Sequence, residues 1–175
     1  EGGGDILPTE LTHISRSEAK DNWRLACQVK LRDNMTIQVP DEIFSIQKWE
    51  CTVTSNRSVA TFIKELIVEL PDEEVIDFKS GGYIQIDIPK YKLSYSDFSI
   101  EDEYREDWDK FKMWDLTAEN NEEGVFRAYS MANHPEEGNR IMLNVRIAHP
   151  PPQQWDAPPG IASSYIYNLK VGDKV

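Results

Sequence analysis

The 175 residues carry 31 Asp+Glu against 19 Lys+Arg, two Cys and a 39% hydrophobic fraction, enough for one ordinary domain with a hydrophobic core. The net charge of -12 excludes the basic footprint of a nucleic-acid binder. No run approaches the ~20 apolar residues needed to cross a bilayer, and Glu1-Gly2-Gly3-Gly4-Asp5 has neither the basic nor the apolar part of a secretory signal. The expectation is a soluble, acidic, cytosol-facing stretch of a longer protein.

Along the chain, Thr9 is positioned to cap a short helical turn. Met35, Ile37 and Val39 alternate with polar residues, as in a half-buried strand. Punctuation at Pro40-Asp41 sets a boundary, with a linker over 41–47 and a second domain over 48–175. In that domain, residues 49–54 place Trp49, Cys51 and Val53 on one strand face, and Asn56-Arg57-Ser58 reads as a turn. A second strand over 60–70 gathers Phe62, Leu66, Val68 and Leu70, interrupted by Lys64. A third, over 83–88, aligns three isoleucines before Pro89.

Residues 97–123 differ in composition, with eleven acids, three bases and a net charge of -8. Ile100, Tyr104, Trp108 and Phe111 form one helical stripe, preceded by Ser99 and Asp102 in a weak capping-box arrangement. This predicts an amphipathic helix docked by its aromatics with its carboxylates solvated. A docking surface for a basic partner is the sharper alternative. Strands return over 125–130 and 140–148, the latter with Ile141, Leu143, Val145 and Ile147 on one side. Pro150-Pro151-Pro152 is stiff and extended. A short helix capped by Ser163 or Ser164 follows and ends at Gly172, and Lys174-Val175 starts another strand. Short strands with Gly/Pro punctuation suggest a small antiparallel barrel.

Two stretches carry chemistry. In Arg127-Ala128-Tyr129-Ser130-Met131-Ala132-Asn133, alternation sends Arg127 and Tyr129 to one face and Ser130 to the other. A guanidinium is a fork of donors for phosphate, a phenol ring is a platform for a planar heterocycle, and a hydroxyl can meet that heterocycle's edge. An exposed Arg, a core Tyr and a turn Ser are each commonplace, however. In Pro159-Gly160-Ile161-Ala162-Ser163-Ser164-Tyr165, a glycine precedes a helix start with free N–H groups and hydroxyls, which can cradle a pyrophosphate or simply be a capped helix.

The order Arg-x-Tyr-Ser, then a strand containing Val145-Arg146, then Gly-x-x-Ser-x-Tyr at a helix head resembles the ferredoxin-reductase-type FAD-binding barrel. The longer motifs Arg-Ala-Tyr-Ser-Met-Ala-Asn, Leu-Asn-Val-Arg-Ile-Ala before three prolines, Gly-Gly-Tyr-Ile-Gln-Ile at 81–86 and Trp-Arg-Leu-Ala-Cys-Gln-Val-Lys at 23–30 narrow the resemblance. They are similar to the family of F subunits of sodium-translocating NADH:quinone oxidoreductases. The fold this implies is a mainly β, six-stranded antiparallel Greek-key FAD-binding barrel with a truncated last strand, a short capping helix and the acidic helical insertion. Residues 1–40 would be the C-terminal part of a β-grasp 2Fe-2S ferredoxin domain.

By the same resemblance, Arg127 binds the flavin phosphate, Tyr129 stacks on the isoalloxazine and Ser130 sits near the redox-active nitrogen. Asn133 and the backbone of Leu143, Asn144 and Val145 line the flavin. Gly160, Ile161, Ala162 and Ser163 hold the pyrophosphate, with Ser164 a weaker candidate. Tyr129 and Ser130 are the residues assigned to catalysis. Cys27 occupies the position of the distant fourth ligand of a plant-type cluster, which needs four thiolates, so these residues are expected to bind no 2Fe-2S. Cys51 is expected in the core, and a Cys27–Cys51 disulfide is disfavoured in a reducing compartment. His13, His134 and His149 lack metal-ligand spacing. The implied function is electron input to a sodium pump at the cytoplasmic face of a bacterial inner membrane: NADH to FAD to 2Fe-2S to quinone, alongside other membrane subunits. No Gly-x-Gly-x-x-Gly fingerprint occurs in the chain, so these residues alone are expected not to oxidise NADH. The alternatives are a non-catalytic β-barrel interaction module and the reductase component of an oxygenase.

Overall fold

The computed structural model describes residues 4–31, 34, 36, 38, 47–151, 153–154 and 156–175. The chain divides into two compact units, residues 1–47 and 48–175. Of the strand expected over 35–39, Met35, Ile37 and Val39 lie outside the described residues, and Thr36 and Gln38 have no strand assignment.

In the first unit, a 3-10 turn spans Glu10–Thr12, and Thr9 precedes it without a side-chain cap. Helix α1, Arg16–Lys20, is opened instead by a capping box between Ser15 and Glu18. Glu10 is fully buried, and its carboxylate accepts from Arg24 Nε at 2.8 and 2.9 Å and from the N–H groups of Leu7 at 2.6 Å and Leu25 at 2.9 Å. The Arg24 guanidinium holds the Glu10 carboxyl down at about 2. Cys27 lies exposed in the turn Ala26–Gln28.

The second unit is mainly β, with seven antiparallel strands among the described residues: β1 Thr52–Ala60, β2 Ile63–Glu69, β3 Tyr83–Ile88, β4 Tyr91–Ser94, β5 Thr117–Asn120, β6 Val125–Ser130 and β7 Arg140–Arg146. They pair in three ladders, β1-β2-β7, β3-β6 and β4-β5. Past β6 the chain bridges two of these: Met131 N–H donates to Gly82 O at 3.0 Å and Ala132 N–H to Met142 O at 2.8 Å. The C-terminal residues run antiparallel to β1. Cys51 and Val175 exchange hydrogen bonds at 2.7 and 3.0 Å, and Val53 N–H donates to Asp173 O at 2.9 Å.

Two corrections to the sequence reading concern strands. Asn56-Arg57-Ser58 is no turn; it lies inside β1, and the chain reverses at Thr61-Phe62. The β4–β5 ladder is absent from the sequence reading, because its strands are four residues each and flank the acidic stretch, whose composition reads as helix. Alternation elsewhere corresponds to burial: Ile86 and Ile88 on β3, and Ile141, Leu143 and Val145 on β7, join Cys51, Val53, Leu66 and Val68 in one apolar cluster.

The acidic stretch holds helix α2, Asp102–Lys110, entered through Glu101 rather than by the Ser99–Asp102 box. Trp108 is fully buried with Tyr95, Phe98 and Tyr167, while Asp102, Glu103, Glu106 and Asp109 face solvent. Helix α3 is Ile161–Asn168, with Gly160 at its N-cap; Ser163 and Ser164 lie within its first turn instead of capping it, and it ends at Leu169, before Gly172. No helix among the described residues is long and apolar enough to cross a membrane.

Lys64 does not break the β2 face. It is 1% exposed, its Nζ donates to Tyr167 O at 3.4 Å and lies 5.5 Å from the Tyr167 ring centroid. Burial pulls this ammonium down to about 8, with Glu101 opposing. The unfolded side chain keeps its ordinary value of 10.5, so between pH 8 and 10.5 the unfolded chain holds more protons. Lys64 is therefore expected to raise stability with pH through the lower part of that window, until tyrosines, whose ordinary value is 10.0, begin to ionise in the unfolded chain and oppose it. Urea denaturation at pH 7.5 to 9.5 checks this. The wild type should gain stability across the series and Lys64→Met should lose that slope; parallel curves would show that Lys64 is not the buried cation responsible.

Candidate flavin site

β6 and β3 are in register with Tyr129 opposite Ile84, Arg127 opposite Ile86 and Ser130 opposite Tyr83. Directly opposed residues share a face, so Arg127 and Tyr129 lie on the isoleucine side and Ser130 on the solvent side. Arg127 is exposed, and its Nη1 donates to Phe126 O at 2.7 Å, leaving most of its donors available. Tyr129 is half-buried against the apolar cluster, and burial pushes its phenol up while Arg127 pulls it down.

The start of α3 is packed onto the end of β7. Gly160 N–H donates to Ala148 O at 2.7 Å, and a Cβ at Gly160 would stand 2.6 Å from Ala148 Cβ and 3.0 Å from Ser163 Oγ. Only glycine fits this close approach. Ser163 Oγ accepts from Ala148 N–H at 3.0 Å and donates to Gly160 O at 3.2 Å, so it ties the helix to the strand. The first N–H groups of a helix have no acceptor within it, which leaves Ile161, Ala162 and Ser163 as free donors.

These elements meet at an open cleft of about 1000 Å³. Its lining includes Arg127 and Tyr129 from β6, Arg146 and Ala148 from β7 and its extension, and Gly160, Ile161, Ala162 and Ser163 from the head of α3. Asp115, Glu119, Glu122 and Asp156 contribute carboxylates. Beside those carboxylates the cleft offers two guanidinium forks, an aromatic ring and the N–H groups of a helix head, the chemistry that receives a phosphorylated planar ligand.

Six of the residues picked from the sequence therefore come together, and the others do not line the cleft. Ser130 is on the outer face, and Asn144 is exposed on β7. Leu143 and Val145 have fully buried side chains opposite Leu66 and Lys64 of β2. Asn133 is buried and spent on backbone: its amide donates to Arg140 O at 2.9 Å and accepts from Met142 N–H at 3.0 Å. Ser164 is fully buried and donates to Gly160 O at 2.7 Å. Arg146 has no role in the sequence reading, although β7's alternation, with Asn144 and Arg146 outward, is a signal that exposes it.

Cys27 and Cys51 are free thiols, Cys51 buried. Among the described residues no three His, Cys, Asp or Glu side chains gather as a metal site.

No protein-family model matches the sequence. Curated relatives match from end to end. The F subunit of the Na(+)-translocating NADH-quinone reductase of Klebsiella pneumoniae is 60% identical over all 175 residues, and that of Haemophilus ducreyi is 58% identical over 174. That of Methylococcus capsulatus is 59% identical over 176 aligned positions. The chain spans 42–43% of the length of these relatives. Among solved structures, the cytochrome b5 reductase domain of Ulva prolifera nitrate reductase aligns with a TM-score of 0.45 and 16% identity, over 71% of this chain and 38% of that one.

Proposed function

We propose that this chain, a homologue along its whole length of part of the F subunit of Na(+)-translocating NADH-quinone reductase, is the FAD-binding portion of an electron-input subunit. The observation that carries this reading is the single cleft in which Arg127, Tyr129, Arg146 and the α3 head converge. The residues fit the cofactor: glycine at 160 lets the head of α3 pack directly onto the extension of β7, and two arginines line the same cleft as the first residues of that helix. When bound, FAD supplies two-electron acceptance and one-electron release. Arg127 and Arg146 neutralise its phosphates, the N–H groups of Ile161, Ala162 and Ser163 orient the pyrophosphate, and Tyr129 offers its ring to the flavin. Ser130, although on the outer face of β6, follows Tyr129 at the strand's end and is assigned to the flavin edge; Asn133, Leu143, Val145 and Ser164 support the two walls from behind, and Asn144 shares the outward face of Arg146.

In this reading residues 1–40 belong to a 2Fe-2S domain, with Cys27 as one thiolate ligand, and residues 48–175 form the flavin barrel. NADH is the donor, quinone the final acceptor, and the complex sits at the cytoplasmic face of a bacterial membrane with other subunits of a sodium pump. No residue among the 175 is assigned to NADH, and the chain by itself is expected to be inactive towards it.

Charge-assisted hydrogen bonds are worth about 1.5–3 kcal/mol, so Arg127→Ala is expected to weaken FAD binding about 10- to 100-fold. Titrating the purified chain and following quenching of flavin fluorescence checks this. A wild-type chain that leaves FAD fluorescence unchanged would sink the cofactor reading, and equal affinities would remove Arg127 from it.

A further inference from the structure

The first turn of α3 is gripped from behind by two tyrosines that no reading of the site includes. Tyr91 opens β4, and its hydroxyl donates to Ile161 O at 2.5 Å. Its ring lies 5.8 Å from that of Tyr165. Tyr95, which follows β4 directly and is fully buried, meets Ser164 Oγ through its hydroxyl at 2.8 Å. Ser164 Oγ has one proton and places it on Gly160 O at 2.7 Å, so Tyr95 is the donor in their pair. The result is a directed chain, Tyr95 hydroxyl to Ser164 hydroxyl to Gly160 carbonyl.

Peptide planarity turns this grip into an aim. The carbonyl of one residue and the N–H of the next share a rigid plane and point in opposite directions. Fixing Gly160 C=O therefore fixes the Ile161 N–H, and fixing Ile161 C=O fixes the Ala162 N–H. These are two of the donors at the head of α3, beside the cleft. Both tyrosines are held by the β4–β5 ladder, with Tyr91 opposite Asn120, whose buried amide donates to Ile88 O, Pro89 O and Glu122 O. The hydroxyls are protonated at neutral pH, as for any tyrosine, and burial pushes Tyr91 and Tyr95 each further up, to about 12.

We propose that Tyr91 and Tyr95 are positioning residues that aim the Ala162 and Ile161 N–H groups at the pyrophosphate of the cofactor. The proposal rests on the flavin reading of the cleft. It gives the hairpin beside the acidic stretch a role in the site, reaching the ligand only through backbone.

The test uses Tyr91→Phe and Tyr95→Phe in the full 175-residue chain, with FAD and ADP as probes and amide NMR shifts as a second readout. One neutral hydrogen bond lost should weaken binding about 3- to 10-fold, equally for FAD and ADP because the two share the pyrophosphate. In the free protein, Tyr91→Phe should move chiefly the Ala162 amide resonance and Tyr95→Phe chiefly that of Ile161. A general loosening of α3 would move both amides in both variants and would overturn the proposal. So would FAD and ADP affinities within about twofold of a wild type that binds them, an outcome that leaves the flavin reading intact. If the wild type binds neither probe, the flavin reading itself fails and the positioning role goes with it.

Discussion

Replacing Gly160 by alanine is expected to destabilise residues 48–175 by about 1–3 kcal/mol, the usual cost of forcing a methyl group into a packed contact. The new Cβ would stand 2.6 Å from Ala148 Cβ, a side-chain stub with no freedom to swing aside, and 3.0 Å from Ser163 Oγ. Relief requires α3 to back away from β7, which breaks the Gly160 N–H to Ala148 O bond and the Ser163 bridge together. FAD affinity should fall with stability, because the same displacement misplaces the helix N–H donors. Urea denaturation and flavin titration of the same preparation read both effects. A variant as stable as the wild type would mean that the close approach is not required.

Trp108→Ala is expected to cost more, about 3–5 kcal/mol, as for other fully buried large aromatics. The indole is fully buried and its Nε1–H donates to Thr61 O at 2.7 Å. Its ring lies 5.0 Å from Trp114, 6.1 Å from Phe98 and 6.1 Å from Tyr167. Truncation opens a cavity between α2 and α3 and removes a partner from the Thr61 carbonyl. Glu106→Gln on the solvent side of the same helix should stay within about 0.5 kcal/mol of the wild type. The contrast is measured by denaturant midpoints. Similar values for the two variants would mean that α2 is held by its charges and not by its aromatic stripe.

Both experiments bear on features that the sequence reveals to unequal degrees. Trp108 is legible as the centre of a stripe with Ile100 and Tyr104, because helical spacing alone puts those side chains on one face. Phe111, at the end of the same stripe, is 37% exposed and packs edge-on against Phe62, since the helix stops at Lys110. Gly160 is legible as a helix entry; the reason for glycine there is not, because Ala148 approaches it only after β7 and α3 have packed. Lys64 shows the same limit from the other side. A charged residue in an apolar run reads as an interruption, but a carbonyl and a ring supplied by α3 allow it to stay inside.

The acidity that opens the sequence is likewise now located. Without residues 97–123 the chain has 20 acids and 16 bases, a net charge of -4. Most of the excess therefore sits on and around α2, whose outer carboxylates are solvated while Trp108 fills the interior. Whatever depends on neighbours a few residues apart is legible along the chain: the strand faces, the aromatic stripe, and Arg127 and Tyr129 sharing one side of β6. Which residues meet is settled by packing. The fold spends Asn133 and Ser164 on backbone, brings Arg146 to the cleft, and sets the hydroxyls of Tyr91 and Tyr95 against the first turn of α3. A hydrogen bond between residues some seventy positions apart leaves no local periodicity to read. Its partners are chosen by packing, after each element has satisfied its own.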